Sequence, residues 1–327
     1  MTHKQIWLNL GGLGLLIALL GIVYWQHTGP RAVPGLIENL QGTDVQAQPL
    51  AAMHLGHIGL EAKSAVPALL TIATASPASY AATTAAGALP AIDLSAARQV
   101  MDAWLLRLQD SSPQIRRDAA ATLGALGPAA KPAVPALVLL LNDQDTAVRE
   151  RVTRALGSIG LPIDAVMRGL IQALRDPDWT VRHAAVTQFS FSGFSSPESL
   201  AVLRDLTKDS NKTVAGLAQS ALASAERPIS VSVYLLTLNQ ARDQTYPLLQ
   251  LAKLGPHAAE AIPKLTTLLA SEKPLERYLT VNALESIGRA AETATPALQR
   301  SLDDPDPIVR EAAAEALQSI RKNGSES

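Results

Sequence analysis

The stretch VPALVLLLNDQDTAVRERVTRALGSIG, Val134 to Gly160, holds two helices and the turn between them. Val134, Leu137, Val138 and Leu141 recur at i, i+3, i+4 and i+7, one apolar stripe of a first helix. Asn142-Asp143-Gln144-Asp145 interrupts it, and Val148, Val152, Ala155, Leu156 and Ile159 form the stripe of a second. Asp145 stands where an N-cap belongs, its carboxylate placed to accept from amides that have no helical partner. Neither helix can bury its stripe within so short a unit, so the stretch needs neighbours of its own kind.

Those neighbours are present on both sides. IGLEAKSAVPAL begins at Ile58, LGPHAAEAIPKL at Leu254 and IGRAAETATPAL at Ile287. Second helices open at Ile115, Val148, Val181 and Val214, 33 residues apart each time, and again at Glu276 and Val309. The turn acid keeps the same beat at Asp110, Asp143, Asp176 and Asp209, and from Ser271 to Asp304. Pro113, Pro274 and Pro307 stand at first helical positions, and Gly127, Gly160, Gly255 and Gly288 where a left-handed residue ends a helix. Pro67, Pro135, Pro263 and Pro296 follow Gly59, Gly127, Gly255 and Gly288 by eight residues and mark where the next first helix bends or begins. A period near 33 denotes an all-α solenoid. About nine units are expected, starting near Val33, Val66, Ala97, Val134, Ala165, Leu200, Ile229, Ile262 and Thr295, with the second, sixth and seventh degenerate. The interval from Val214 to Glu276 is only 62 residues, and Pro247 falls within the seventh second helix. Nine stacked pairs would make an arc of about 80–90 Å at ordinary helix spacing.

The pattern of apolar-Pro-x-Leu, L-x-D-x-D, V-R and A-L-G-x-I-G resembles the HEAT-like repeat of the phycobilisome-lyase type. That resemblance implies that the Asp and Arg columns, Asp110/Arg116, Asp143/Arg149, Asp176/Arg182 and Asp304/Arg310, form a structural ladder between units. It also implies a surface for protein binding, with a bilin-lyase-like enzyme subunit or chromophore-protein chaperone as the alternative.

Outside the repeats, Ile6–Trp25 is twenty residues, almost all apolar and free of charge. At 1.5 Å per residue it spans roughly 30 Å, a hydrocarbon core, with Trp7, Tyr24 and Trp25 at its ends. A cleaved signal would be shorter and end in small residues, whereas YWQHTGPRAV follows here. The expected organisation is a short segment 1–5, a transmembrane anchor 6–25, a linker 26–32, the solenoid 33–322 and a disordered tail 323–327. Lys4 precedes the anchor and Arg31 is the first cation after it, which favours a single-pass protein of the cytoplasmic (inner) membrane with its solenoid on the extracytoplasmic side.

Chemistry is sparse in the remaining residues. The chain has no cysteine, which excludes disulfides and thiolate ligands, and its 28 Lys+Arg against 29 Asp+Glu give no basic footprint for nucleic acid. His54 and His57 sit three apart without a third ligand, and no His-Glu dipeptide of the HEAT-like metal hydroxylases occurs. Nucleophile-elbow, phosphate-loop and dinucleotide motifs are absent. No catalytic residue, metal or cofactor is therefore expected. The face of the second helices reads Arg117, Glu150, His183, Gly216, Tyr278 and Glu311 at its third position and Ala121, Arg154, Thr187, Ser220, Asn282 and Glu315 at its seventh. This mixed surface suits a folded protein partner. Phe189 falls in the core column of Leu123 and Leu156, whereas Phe191 falls in the exposed column of Ala125 and Ser158. Phe191, Phe194, His183, Glu150, Arg154 and Tyr278 are the candidate partner contacts, on a membrane-anchored, non-catalytic scaffold serving as an accessory or assembly factor of a membrane complex.

Overall fold

The computed structural model describes residues 29–75, 78–160, 164–192, 196–225, 231–240 and 244–325. The Ile6–Trp25 segment, Phe194 and the Phe191 side chain lie outside the described residues. Among those described, no helix is long and apolar enough to cross a membrane.

Eighteen α-helices among the described residues form nine pairs. The first helices are α1 (Val33–Gln41), α3 (Val66–Ala73), α5 (Leu94–Arg107), α7 (Val134–Leu139), α9 (Asp164–Leu174), α11 (Pro197–Leu206), α13 (Val231–Gln240), α15 (Ile262–Leu268) and α17 (Thr295–Arg300). Each is followed by its second helix: α2 (Ala47–Ile58), α4 (Tyr80–Ile92), α6 (Pro113–Ala125), α8 (Thr146–Ile159), α10 (Trp179–Ser192), α12 (Lys212–Ala225), α14 (Thr245–Leu254), α16 (Pro274–Ile287) and α18 (Pro307–Ser325). The helix expected to stop at 322 runs on to Ser325. Pro247 sits in the first turn of α14 rather than its interior, where a missing amide costs nothing.

The joints follow from single residues. Asp145 accepts the Val148 amide at 3.0 Å, closing the N-terminus of α8. Gly160 is left-handed at φ 65° and ψ 10°. Gly59, Gly255 and Gly288 instead combine a positive φ with ψ between −130° and −137°, a region that side chains forbid. They launch seven-residue 3₁₀ turns, Gly59–Ala65, Gly255–Ala261 and Gly288–Ala294, as Gly127 does for Gly127–Ala133. The expected left-handed stop is thus a departure into a second, tighter helix, which delivers Pro67, Pro135, Pro263 and Pro296 to the second residue of the following first helix.

Consecutive second helices pack more extensively than consecutive first helices, so the stack curves toward the second helices. Small residues permit this. A Cβ at Gly124 would stand 2.9 Å from the Ala155 Cα, and one at Gly56 3.1 Å from the Ala88 Cα. The apolar interior between the two layers holds Leu55, Leu89, Trp104, Leu123, Leu156 and Phe189, all buried.

Charged rungs lock the steps. Arg116 donates to both Asp143 oxygens, at 2.7 and 2.9 Å, across 27 residues. Arg149 to Asp176, Arg182 to Asp209 and Arg277 to Asp304 repeat the forked geometry. Each arginine also donates backward to its own turn, as Arg116 does to the Asp110 carbonyl at 2.8 Å. Each aspartate in turn holds the amide two residues on, as Asp143 holds Asp145 at 2.9 Å. Arg310, in the last repeat, makes the backward bonds, to the Asp304 carbonyl at 2.6 Å and the Pro305 carbonyl at 3.1 Å. Between repeats 2 and 3 the buried Trp104 indole donates to the Ala73 carbonyl at 2.7 Å, and Arg107 stacks over its ring while donating to Thr74.

The ladder has a gap. Ala215 occupies the arginine position of repeat 6, and Ser271 the aspartate position of repeat 8. Second helices pack in series from α2 to α12 and again from α14 to α18, but the α12-to-α14 step lacks this packing. The single arc expected from the period is therefore two blocks, repeats 1–6 and 7–9. The second folds back onto the first.

Two predictions follow from this packing. Gly124→Ala should destabilise the fold by about 1–3 kcal/mol of overpacking, since Ala155 backbone blocks the new methyl. Gly216→Ala, with nothing within 4 Å of its Cβ, should stabilise by roughly 0.5–1 kcal/mol through helix propensity. Urea midpoints of the two variants moving in the same direction would contradict this. For the rungs, the Arg182 hydrogen bond holds Asp209 below its ordinary 3.8, against the opposing effect of burial. A carboxylate whose pKa is lower in the fold stabilises the fold above its unfolded value and loses that contribution as pH falls through the folded one. Thermal stability should therefore hold from pH 7 to about 5 and decline below about 4. Arg182→Ala, which leaves Asp209 buried and unpaired, should lower the first unfolding transition by about 3 kcal/mol at pH 7. It should also flatten the acid decline, because the pKa shift is lost with the guanidinium.

Candidate partner-binding faces

The six candidate contacts separate into distinct settings. Glu150 and Arg154 lie one turn apart on α8 and pair with each other across an open surface. His183, one repeat further on, meets the edge of Trp179 at 6.3 Å. Trp179 is 46% exposed, opens α10 and shares a helical stripe with His183 and Thr187. Glu150 and Arg154 stand in the same two columns as His183 and Thr187, one repeat apart on the second helices of repeats 4 and 5, all of them exposed or half-exposed. Trp179 was legible in the sequence and overlooked: corresponding positions carry Pro113, Thr146, Lys212, Pro274 and Pro307. A large aromatic in that column has no packing role to fill.

Tyr278 has a different fate. It was read as exposed, yet only 3% of its surface meets solvent. The second-helix face of the last block is covered by the first block, and the Tyr278 hydroxyl donates to the Pro128 carbonyl at 3.0 Å. Burial raises its phenol well above the ordinary 10.0. Asn282, one turn on and read as exposed, is also buried. Every residue from Glu276 to Leu284 is buried, so α16 is enclosed on all sides.

Ion pairs complete this internal interface. Lys131, in the 3₁₀ turn after repeat 3, donates to Glu285 at 2.6 Å and to Glu315 at 3.3 Å. Arg98 reaches Glu311 at 3.3 Å. Leu275 and Leu279 line a cleft with Gly87, Ala91 and Ala125 of the first block. Lys63 lines a neighbouring cleft with Asp306. The turn edge of the first block is thus basic and the facing helices of the last block acidic.

Phe189 is buried, in the core column predicted for it. His57 directs Nδ1 to the Met53 carbonyl of its own helix at 2.8 Å. Among the described residues no group of three or more His, Asp or Glu is arranged to hold a metal ion.

Several solved structures are similar to this chain. An engineered protein from a structural genomics consortium shares 21% identity, covering 88% of each chain at a TM-score of 0.35. A designed armadillo repeat protein in complex with a (KR)4 peptide shares 17%, over 59% of this chain and 99% of that one, at 0.40. Kap95p, in a structure describing its binding to RanGDP, shares 16% over 94% of this chain and 49% of that one, at 0.45. No curated protein matches. The family model for HEAT repeats matches residues 101–168, 167–237 and 248–325, more than half of the sequence, and the chain belongs to the HEAT-repeat family.

Proposed function

We propose that this protein is a membrane-tethered, non-enzymatic scaffold that receives a folded protein partner on the open second-helix face of repeats 4 and 5. The observation that carries the reading is Trp179, a tryptophan left 46% exposed beside His183 and the Glu150–Arg154 pair. Aromatic and arginine side chains of this kind supply the anchors of protein interfaces, and mixed charge around them forms the rim. Phe191 and Phe194, two and five residues beyond the buried Phe189, extend the same reading by sequence. The Ile6–Trp25 segment tethers the solenoid to the inner membrane, and the Lys4/Arg31 distribution puts the repeats on the extracytoplasmic side. A scaffold so placed fits an accessory or assembly factor of a membrane complex. The bilin-lyase-like role rests on repeat resemblance alone, and resemblance of fold is a weak warrant for chemistry.

Trp179→Ala should leave the melting temperature within a degree or two, since the ring is half out of the fold. It should weaken capture of the partner, crosslinked and purified from solubilised membranes, by roughly 30-fold, the loss of about 2 kcal/mol that a tryptophan anchor carries. Undiminished capture of the same partner by the variant would exclude this face. Reporter fusions at the carboxyl terminus should be active only in the form that works outside the cytoplasm; activity of the cytoplasmic form alone would reverse the orientation.

A further inference from the structure

The interface between the two blocks reads as a receptor with its ligand in place. Lys131 offers three donors, and three acceptors meet them from two successive second helices: Glu285 at 2.6 Å, Glu315 at 3.3 Å and Asn282 at 3.5 Å. Beside the ammonium, Tyr278 donates to the Pro128 carbonyl. The Asn282 side chain is buried against the same surface. The residues that make the receptor depart from the repeat. Gly56, Gly124 and Gly157 are the small residues that let neighbouring second helices close up, whereas Glu285 takes the corresponding position of α16 and reaches the other block instead. The ligand departs too: the 3₁₀ turns of the first block carry Lys63 and Lys131 where those of the last carry Ala259 and Glu292.

We propose that the second-helix face of repeats 8 and 9 is a binding site for a lysine-bearing, proline-bordered turn, occupied in this chain by its own Gly127–Ala133, which a protein partner presenting such a turn must displace. Recognition is divided between the charge of the lysine, matched by two carboxylates, and a carbonyl held outward by the proline ring, matched by the Tyr278 hydroxyl. Lys131, Glu285 and Tyr278 are largely shielded from water and Glu315 closes the pair from the solvent side, so the charge-assisted bonds discriminate against a neutral or acidic side chain. Occupancy by the chain's own segment lowers the apparent affinity for a competitor by the fraction of molecules in which the site is free. The site is separate from the Trp179 patch, and either stands without the other.

The test uses the full chain in detergent and a fluorescein-labelled peptide GPAAKPAV, identical to residues 127–134, with a GPAAEPAV control. Lys131→Glu repels the internal segment from Glu285 and Glu315. This variant should bind the lysine peptide at least tenfold more tightly than the wild-type protein does, lose that binding in high salt and ignore the control. Lys131→Gln, which removes the charge but keeps a polar side chain, should give the same ranking with a smaller gain. Glu285→Gln combined with Glu315→Gln removes the seat and should abolish binding in either background. Equal binding of both peptides, or no binding by either Lys131 variant while its circular dichroism and melting match wild type, overturns the proposal. If a Lys131 variant does not fold, hydrogen exchange in wild type decides. Excess lysine peptide should raise exchange across Gly127–Ala133, and unchanged exchange there overturns the proposal equally.

Discussion

A guanidinium reaching forward to the next repeat's aspartate governs this architecture. Arg116, Arg149 and Arg182 each fork onto an aspartate 27 residues ahead while clamping the turn behind them. A single side chain thereby fixes both the shape of one turn and its distance from the next. The apolar stripes supply most of the driving force for stacking, but they are non-directional. The rungs set the register, because a bidentate arginine–carboxylate pair tolerates little displacement. Ala215 interrupts the rungs, and the orderly packing of second helices ends at the same repeat. Arg277 and Asp304 resume them in the last block, where stacking resumes as well.

Interruption has a consequence for binding. A HEAT-type stack presents its second helices along one inner face, and a continuous arc would leave all of that face open. Here the last block turns its share inward, onto the glycine- and lysine-bearing turns of the first. α16 is buried all round although its sequence mixes Glu276, Arg277, Tyr278 and Asn282 with apolar residues. Buried polar groups call for partners, and the charged ones and the phenol have them: Glu276 accepts from Ser271 and Lys273, Arg277 meets Asp304, and Tyr278 meets Pro128. What stays open is the middle of the stack, where Trp179 and His183 stand. A partner at the proposed face would therefore meet a shorter and more defined surface than the repeat count alone implies.

The local fold was legible because it is written in local terms. The aspartate caps, the glycine breaks and the prolines at the second helical position each act within a dozen residues and return on a 33-residue beat, so each reads directly from the chain. Gly160 is the left-handed stop that its residue type suggests, whereas Gly127, Gly255 and Gly288 are entries to 3₁₀ turns, since residue type shows that φ is positive but leaves ψ open. The fold-back was not legible. Lys131 and Glu285 are 154 residues apart, and in a repeat protein every unit offers similar charges at similar places. Tyr278 looked exposed because its column is exposed in a lone stack; only the approach of another block buries it. The hints that existed were departures from the repeat: Ala215 for arginine, Ser271 for aspartate, Glu285 for glycine, and Trp179 where proline or threonine usually stands.

The return of the last three repeats onto the first block is the central claim, and the absence of native cysteine allows it to be measured directly. Lys63 and Pro305 line the same cleft from opposite blocks and are both exposed. Spin labels at Lys63→Cys and Pro305→Cys, read by pulsed electron–electron resonance in detergent at low salt, should give one short and narrow distance distribution. A long, broad distribution from a protein with unaltered helix content would mean that the nine repeats form an open arc, and would contradict the account.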